Sequence, residues 1–544
     1  MDDPVVIVGA GPVGMLLACD LLQQGVPVRV IDAAREHSAH SRAAVIWPRV
    51  LEVLRRTGVA ERMVAEGHRL EGVTYFSSGR ELGTAWMTRL TDTPYPFAVG
   101  IAQSHTERII EDRLTELGGK IERGARLTAV RESTGPRPVA VLEGTDGSVQ
   151  EVETPWLIGA DGAHSTLRKL LGITFEGEQF HVSFSITDAQ LAGDAPMNVV
   201  SYCYTPQGSL ALGPLGPDVS RVAVSVPHPE GDGPHPPPTR EFFQGLLDSR
   251  APGRNTIGEM RFSTTFQVHA RIADSYKHGH CLLIGDAAHT LSPAGAQGLN
   301  TGLQDVGNLG WRLGGHLSGR LSEDAVAGYD RDRREGARQA AWSTARQSRW
   351  GFYTKPRQIA VRDVVFRSAH ATGLVQRAVS PIVAQTTVHY PPADTPAGGA
   401  KRRTGGRVAP GERLPVLLSG PKDEPSELPQ GGWVRVAPEG LTVLLHPGTA
   451  ASALAGWDGL TDRVAAAARG RAAVVVAGVR GPLTAALGAR PAIAVARPDG
   501  HLLATLTPQQ AAELPKVLDL LAERPDPLND PVAAASAPAA APAR

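Results

Sequence analysis

The chain has 544 residues, of which 42% are hydrophobic, and its 55 Lys and Arg balance its 55 Asp and Glu. This length exceeds what a single hydrophobic core usually serves, and zero net charge gives no reason to expect nucleic acid or an anionic membrane as a partner. The only cysteines, Cys19, Cys203 and Cys281, are scattered, so neither a zinc knuckle nor a dithiol pair is available. Without a run of about 18 apolar residues, we expect a cytoplasmic protein with no membrane span and no metal.

The first motif is a glycine-rich turn between a predicted strand and a predicted helix. The apolar run Val5–Val8 is followed by GAGPVG at positions 9–14 and by helical sequence over 15–23. In such a GxGxxG motif, Gly9 permits the tight turn, Gly11 lets a diphosphate approach the backbone, and Gly14 lets helix and strand pack closely. The N-terminus of the helix then faces the anion.

A second predicted strand, at 26–31, ends at Asp32. A carboxylate about 20 residues after the first glycine suits a ribose diol, and it would repel the 2′-phosphate of NADP. The two strands and the motif predict dinucleotide binding, but they leave open which dinucleotide is bound.

Two further motifs follow apolar strands. The run at 156–160 leads into DGAHSTLR at 161–168, and the run at 281–284 leads into GDAAHTLSPAGAQGLNTGLQD at 285–305. Apolar residues at helical spacing predict a helix from about Thr301 to Leu317. One chain therefore carries three strand-end motifs built from glycine and an acidic residue.

These three motifs, in this order and spacing, resemble those of the FAD-dependent aromatic hydroxylases of the p-hydroxybenzoate and phenol hydroxylase type. The chain looks most like their actinobacterial polyketide-tailoring relatives, over roughly residues 4 to 370. The resemblance implies FAD as the cofactor. It places the following residues at FAD: Gly9, Gly11, Pro12, Gly14, Asp32, Arg42, Gln103, Asp161, Gly162, Arg168, Gly285, Asp286, Pro293, Gly298, Leu299 and Asn300.

The same resemblance assigns roles within the third motif. Asp286 would accept hydrogen bonds from the ribityl chain, and Pro293 would lie beside the isoalloxazine ring. Backbone N–H groups would reach the pyrimidine end of the ring from Gly295, Gly298, Leu299 and Asn300. The positive end of a helix there would stabilise the reduced flavin anion. Pro293 and Gly298 are therefore the candidate catalytic residues.

Two residues of the second motif have two possible roles. Asp161 and Arg168 either serve both FAD and the nicotinamide co-substrate, since no second Rossmann unit is visible, or mainly fix their own loop. His289, in the third motif, is expected to be structural rather than a general base.

The sequence predicts an α/β protein: a Rossmann-type FAD-binding domain with an inserted antiparallel-sheet substrate domain and a C-terminal thioredoxin-like domain. Alternating strand-like stretches within 197–270 predict the inserted sheet. The predicted boundaries are 1–180 and 276–394 for the FAD-binding domain, 181–275 for the substrate domain, 395–413 for a linker, 414–525 for the thioredoxin-like domain and 526–544 for a disordered tail.

The substrate pocket is expected against the inserted sheet. The candidate lining residues are His181, Phe184, Tyr202 and Tyr204. Four aromatic residues in the later helical stretch, Trp342, Trp350, Phe352 and Tyr353, are expected in a core or an interface rather than around the substrate.

The resemblance implies that NADPH or NADH reduces FAD, and that O2 then forms a flavin C4a-hydroperoxide that hydroxylates an electron-rich aromatic substrate such as a polycyclic phenol. Because the cofactor performs the difficult step, no nucleophilic triad is required. Two alternatives stay open: Baeyer–Villiger oxygenation or epoxidation on the same scaffold, and a flavin-containing protein that sequesters a drug or polyketide. A halogenase is disfavoured because its Trp-x-Trp-x-Ile-Pro stretch is missing. The protein is expected to be a monomer or a homodimer.

Overall fold

The computed structural model describes residues 3–36, 43–227, 237–392, 408–420, 432–449, 457, 459–469, 471–478 and 481–521. Arg42, the side chain of His181, most of the predicted linker and the predicted disordered tail lie outside the described residues.

The first 170 residues alternate helices and strands. In chain order they form β1 (Val5–Val8), α1 (Pro12–Gln23), β2 (Val28–Asp32), β3 (Val45–Ile46), α2 (Pro48–Arg55), α3 (Ala60–Glu66), β4 (His68–Leu70), β5 (Gly72–Ser77), β6 (Arg80–Trp86), β7 (Ala98–Gly100), α4 (Gln103–Glu116), β8 (Ile121–Arg123), β9 (Arg126–Arg131), β10 (Val139–Glu143), β11 (Val149–Glu153), β12 (Leu157–Gly159) and α5 (Thr166–Leu170).

The middle of the chain is rich in long strands and ends in long helices. Its elements are β13 (Phe175–Gly193), β14 (Val199–Thr205), β15 (Gly208–Pro214), β16 (Val219–Pro227), α6 (Arg240–Arg250), β17 (Asn255–Ala273), β18 (Lys277–His278), β19 (Cys281–Leu283), β20 (His289–Thr290), α7 (Gly298–Leu317), α8 (Glu323–Gly351), α9 (Pro356–Ala371), a π-helical turn (Val375–Val379) and α10 (Ser380–Val383).

The C-terminal unit, from β21 to α13, is smaller than the rest of the chain. It contains β21 (Leu417–Leu418), β22 (Arg435–Val436), β23 (Leu441–His446), α11 (Leu460–Ala468), β24 (Ala472–Val476), α12 (Pro482–Leu487), β25 (Ala492–Ala496), β26 (Leu502–Leu506), a 3-10 turn (Pro508–Glu513) and α13 (Leu514–Leu518). Together the elements confirm the predicted α/β class.

A six-stranded sheet brings the three motifs together. Its order is β18-β19-β12-β1-β2-β8, and all strands except β18 run parallel. Val8 at the end of β1 pairs with Gly159, which in turn pairs with Leu283 near the end of β19. Because the carboxyl ends of neighbouring parallel strands meet at one edge, the three motif loops leave the sheet side by side, where ligands bind in such folds.

An eight-stranded sheet lies beside it, with the order β20-β17-β13-β16-β15-β14-β5-β6. It is antiparallel except for the parallel pair β14 and β5. The first of its long strands, Phe175–Gly193, crosses the predicted boundary between residues 180 and 181. Strands β5 and β6, which come from the first stretch of the chain, extend the sheet, so it is not confined to 181–275.

In the C-terminal unit, β23, α11 and β24 form a parallel βαβ unit, and β25 and β26 add an antiparallel hairpin, in the sheet order β24-β23-β25-β26. This is the arrangement that a thioredoxin-like fold requires, and the assignment to that fold stays a prediction.

Within the described ranges, no helix is both long and apolar enough to cross a membrane. The same residues contain no cluster of three or more His, Cys, Asp or Glu side chains that could hold a metal ion.

Candidate active site

A cavity of about 710 Å³ lies between the edge of the six-stranded sheet and one face of the eight-stranded sheet. The three motif loops line one part of it, and strands β13 to β17 with the end of α8 line the other. Nine residues predicted at the cofactor line this cavity: Gly11, Pro12, Gln103, Gly162, Gly285, Asp286, Pro293, Gly298 and Leu299.

The glycines of the first motif divide into two kinds. A Cβ atom on Gly9 would lie 2.3 Å from the carbonyl oxygen of Ala160, and one on Gly14 would lie 2.1 Å from the carbonyl oxygen of Gly9, so both positions serve close packing. A Cβ on Gly11 would meet nothing within 4 Å. The space beside Gly11 is thus open to a ligand at the N-terminus of α1.

Helix α1 offers unused backbone donors to that space. Pro12 occupies its first position and has no N–H to leave unsatisfied. The first intrahelical bond runs from the N–H of Met15 to the carbonyl of Gly11, at 3.0 Å. The N–H groups of Val13 and Gly14 come before this first bond, so they have no acceptor within the helix. Donors at this end of a helix bind anions such as a diphosphate.

Asp32 and Gln103 fix the loops around this end of the cavity. Asp32 Oδ2 accepts a hydrogen bond from the N–H of Ala10 at 2.7 Å, and its Oδ1 accepts one from the N–H of Ala34 at 2.7 Å. Gln103 Oε1 accepts a hydrogen bond from the N–H of Ala43 at 3.0 Å. Asp32 itself does not line the cavity, although it holds the glycine loop that does.

The structure favours the loop-fixing role for the second motif. Asp161 caps α5: its Oδ2 accepts the N–H of Thr166 at 2.6 Å, and its Oδ1 accepts the hydroxyl of Ser165 at 2.5 Å. Arg168 donates to the carbonyls of Ala287 and Ala163 at 2.8 and 2.9 Å, which ties this loop to the third motif. Burial lowers the pKa of Arg168 from its usual value. Neither side chain lines the cavity.

His289 lies in a buried hydrogen-bond cluster, which is consistent with the structural role that the resemblance implies. Its Nε2 lies 2.8 Å from Asp305 Oδ2, which also accepts the backbone N–H of Gly285 at 2.9 Å. Arg333 Nε donates to the other carboxylate oxygen at 2.7 Å. Burial alone raises the pKa of Asp305, but His289 and Arg333 outweigh it and hold that pKa below its usual value. The carboxylate of Asp305 thereby anchors the loop that carries Asp286.

Helix α7 begins three residues earlier than predicted, at Gly298. The N–H of Thr301 makes its first intrahelical bond, to the carbonyl of Gln297 at 2.9 Å. The N–H groups of Gly298, Leu299 and Asn300 come before this first bond, so they have no acceptor within the helix. A Cβ on Gly298 would meet nothing within 4 Å. The positive end of the helix thus opens onto the cavity.

Asn300 has a second, structural task that the sequence did not reveal. Its buried side chain accepts a hydrogen bond from the N–H of Trp47 and donates one to the carbonyl of Val45, both at 2.8 Å. The side chain ties α7 to β3 and does not line the cavity, so only the backbone of Asn300 is available to a ligand.

Three of the four predicted substrate residues, Phe184, Tyr202 and Tyr204, line the far part of the cavity. The two tyrosine rings stack against that of Tyr75, at centroid distances of 5.8 and 6.4 Å. Burial raises the pKa of Tyr202 to about 12, and it also raises that of Tyr204. Both hydroxyls are therefore protonated at neutral pH and have a proton that can be donated to a ligand.

Sequence reasoning missed the contribution of α8 and the residues that follow it. Gln347 and Phe352 line the cavity, whereas the prediction placed Phe352 in a core or interface. Trp342 was also predicted there, but 56% of its surface is exposed. No local signal distinguishes these positions, because α8 reaches the cavity only through its packing in the tertiary structure.

FAD fits this arrangement. At one end of the cavity, the N–H groups of Val13 and Gly14 lie at the open space beside Gly11. At the other end, the N–H groups of Gly298, Leu299 and Asn300 lie at the open space beside Gly298. The exposed carboxylate of Asp286 lies on the wall of the same cavity. Two helix N-termini facing one elongated cavity suit a ligand with a diphosphate and a second group that becomes anionic. The fold and site thus define a flavin-dinucleotide-binding α/β protein.

Comparisons with known proteins reach the same class. A family model described as FAD binding domain matches residues 2–344. The 12-dehydrotetracycline 5-monooxygenase/anhydrotetracycline 6-monooxygenase of Streptomyces rimosus is 30% identical over 518 residues, which are 94% of this chain and 96% of that protein. An uncharacterized aromatic compound monooxygenase of Bacillus subtilis is 35% identical over 344 residues, covering 63% of this chain and 68% of that protein.

Among solved structures, the anhydrotetracycline hydroxylase OxyS from Streptomyces rimosus has a TM-score of 0.72 at 28% identity, covering 97% of this chain and 100% of that one. The chain belongs to the FAD-binding-domain family, and it is an FAD-dependent monooxygenase of the aromatic hydroxylase type. The predicted family is confirmed.

Proposed function

We propose that the protein uses NADPH or NADH and O2 to hydroxylate a polycyclic phenol, such as an aromatic polyketide. One observation carries this proposal: the two helix N-termini and the aromatic wall with Tyr202 and Tyr204 line one continuous cavity. A ring held against that wall lies in the same enclosed space as the cofactor end of α7. The relative from Streptomyces rimosus, whose name refers to tetracycline intermediates, supports a polyketide as the substrate class.

Bound FAD would accept a hydride from the nicotinamide and activate O2 for transfer of one oxygen atom. The chain supplies binding, orientation and electrostatics. The N–H groups of Val13 and Gly14 would hold the diphosphate, and Asp286 would accept hydrogen bonds from the ribityl hydroxyls. The N–H groups of Gly298 and Leu299 would stabilise negative charge at the flavin ring. Pro293 shapes the edge of the ring.

The opposite wall positions the substrate and excludes water. Phe184, Phe266 and Phe352 give it an apolar surface suited to fused rings. On this wall, Gln347 lies close enough to the hydroxyl of Tyr202 to interact with it. These few donors on an apolar wall are the kind of groups that orient a ligand oxygen.

The test is a reduction experiment with purified protein. Flavin content is measured first, and reduction by NADPH and by NADH is then followed anaerobically in stopped flow, with and without 1-naphthol as a probe phenol. The proposal predicts faster reduction with the phenol and, after O2 is admitted, a product heavier by one oxygen atom that retains a phenolic ring.

Other outcomes separate the alternatives. A lactone or an epoxide of the same mass, identified by NMR, would replace hydroxylation with Baeyer–Villiger oxygenation or epoxidation. Tight binding of aromatic ligands without any stimulated reduction or product would favour a sequestering protein. A purified chain that neither contains FAD nor takes it up would refute the proposal.

A further inference from the structure

The segment RPDGH at 497–501 in the C-terminal unit has no place in the function proposed above. Its three ionisable residues are nevertheless almost fully buried: Arg497 is 5% exposed, Asp499 2% and His501 1%. Charges buried to this extent persist only when they are paired, because an isolated one would lose its hydration without compensation. Arg497 donates to Asp499 within the segment, and the further partners of these residues lie outside the C-terminal unit.

The first set of partners belongs to α7 and α8. Arg497 Nη1 donates to Asp332 Oδ2 at 2.8 Å, and Arg312 Nη2 of α7 donates to the same oxygen at 2.7 Å. Asn308 Nδ2, one turn earlier on α7, lies 3.3 Å from Asp499 Oδ2. The helix whose N-terminus opens onto the cavity thus contacts the C-terminal unit at Asn308 and is linked to it at Arg312 through Asp332.

The second set reaches α2. Arg49 Nη2 donates to the backbone carbonyl of Asp499 at 2.6 Å, and its Nη1 donates to Glu52 at 2.6 Å. Arg413, which enters the C-terminal unit, donates to the other oxygen of Glu52 at 2.9 Å. Helix α2 starts two residues after β3, the strand to which the side chain of Asn300 is bonded.

The third set of partners leads to the loop that carries Gly285 and Asp286. The ring of His501 packs against that of Tyr390 in a tilted arrangement, with 4.2 Å between centroids. The hydroxyl of Tyr390 accepts a hydrogen bond from Arg333 at 2.9 Å. Arg333 also holds Asp305, whose carboxylate accepts the N–H of Gly285. A continuous chain of contacts therefore links the C-terminal unit to the residue that precedes Asp286.

We infer that Asp499 is a positioning residue for the cofactor: through these contacts the C-terminal unit holds α7 and the Gly285 loop in the geometry that FAD requires. The inference rests on the flavin site proposed above. The physical reason is that the network is both buried and charged. Loss of one charge leaves its partners uncompensated, so they must rearrange, and the elements they hold must move with them.

The test uses the full-length protein with Asp499→Asn, which removes the charge at nearly constant shape. Asp519→Asn is the matched control, since it breaks an exposed ion pair with Arg471 in the same unit. Tyr390→Phe, which removes a single hydroxyl from the chain of contacts, serves as a second variant in case Asp499→Asn does not fold. The FAD dissociation constant, the flavin midpoint potential and the melting temperature of the apoprotein are measured for each.

We expect both network variants to weaken FAD binding by about tenfold, within the usual range of coupling between sites, and to lower the midpoint potential, because a displaced α7 stabilises the reduced flavin less. Asp519→Asn should match the wild type in both. Network variants that lower only the melting temperature, with an unchanged dissociation constant and potential, would overturn the inference and leave a purely structural role. Wild-type protein that failed to bind FAD would instead refute the proposed function on which the inference rests.

Discussion

Replacing Gly11 with valine separates folding from cofactor binding more sharply than any other change in the site. The backbone at Gly11 has φ −72° and ψ 173°, which valine adopts without strain. No atom lies within 4 Å of the added Cβ. The apoprotein should therefore fold with a change in the free energy of unfolding within about 0.5 kcal/mol, as for substitutions away from packed features.

The substitution should instead weaken the binding of FAD. The valine side chain occupies the space in which a diphosphate would approach the N–H groups of Val13 and Gly14. One lost hydrogen bond to a charged group costs about 1.5–3 kcal/mol, and a lost anion interaction with the helix N-terminus costs about 0.3–1 kcal/mol. The sum of about 2–4 kcal/mol corresponds to a weakening of FAD binding by about 30- to 700-fold.

The assay is titration of apoprotein with FAD, followed by quenching of flavin fluorescence, beside thermal unfolding of both apoproteins. Gly245→Val is the matched control, because Gly245 also has open space around it but lies on the exposed surface of α6, away from the cavity. Unchanged FAD affinity in Gly11→Val would refute the assignment of this space to the diphosphate. A Gly11→Val apoprotein that misfolds would refute the conclusion that the backbone and the open space at Gly11 accommodate a valine side chain.

Three further changes probe neighbouring positions. Gly9→Ala should lower the free energy of unfolding by more than about 1 kcal/mol, because its Cβ would lie 2.3 Å from the carbonyl oxygen of Ala160 at a backbone φ of +107°; chemical denaturation measures this. Asp286→Ala should yield folded but mostly flavin-free protein, read from the ratio of visible to ultraviolet absorbance, since the side chain is exposed on the cavity wall. Asp305→Asn should cost about 3–5 kcal/mol at pH 7, since it leaves the buried guanidinium of Arg333 without its carboxylate partner. The pKa of Asp305 is depressed in the folded state. The stabilisation by its carboxylate is therefore present above the unfolded pKa of about 3.9 and declines as the pH falls below that value. The difference in the free energy of unfolding between the wild type and Asp305→Asn should accordingly narrow in acid.

Each of these has a contrary result. A Gly9→Ala protein as stable as the wild type would contradict the close approach of the first and second motifs. A yellow, fully loaded Asp286→Ala protein would count against its place on the ribityl chain. A stability gap for Asp305→Asn that stays constant down to pH 2 would show that the carboxylate does not titrate with a lowered pKa in the folded state.

The cofactor end of the site could be predicted from local sequence because its chemistry is carried by backbone. Glycines, a proline and the start of a helix must occur at fixed spacing to leave N–H groups open to an anion, and this spacing is visible in GAGPVG and in the stretch from Gly285 to Asn300. The structure adds that Gly9 and Gly14 serve packing, whereas Gly11 faces open space.

The substrate end could not be predicted with the same detail. Tyr202 was identified on a stretch with an alternating pattern and Phe184 in the region expected to line the pocket. Gln347 and Phe352, in contrast, come from the end of a long helix that reaches the cavity only after the chain has folded. Residues that approach a ligand from separate elements share no spacing in the sequence.

The sequence by itself determined dinucleotide binding and the α/β fold, because parallel strands and glycine-rich turns impose local patterns, and the resemblance of its three motifs to a known family supplied FAD as the cofactor. Only the tertiary structure showed that the side chain of Asp161 bonds within its own loop and that the side chain of Asn300 ties α7 to β3. It also showed that Asp499 and His501 contact α7 and Tyr390. Hydrogen bonds and buried ion pairs between distant segments depend on which side chains folding brings within about 3 Å of each other, and that proximity leaves no trace in the order of residues.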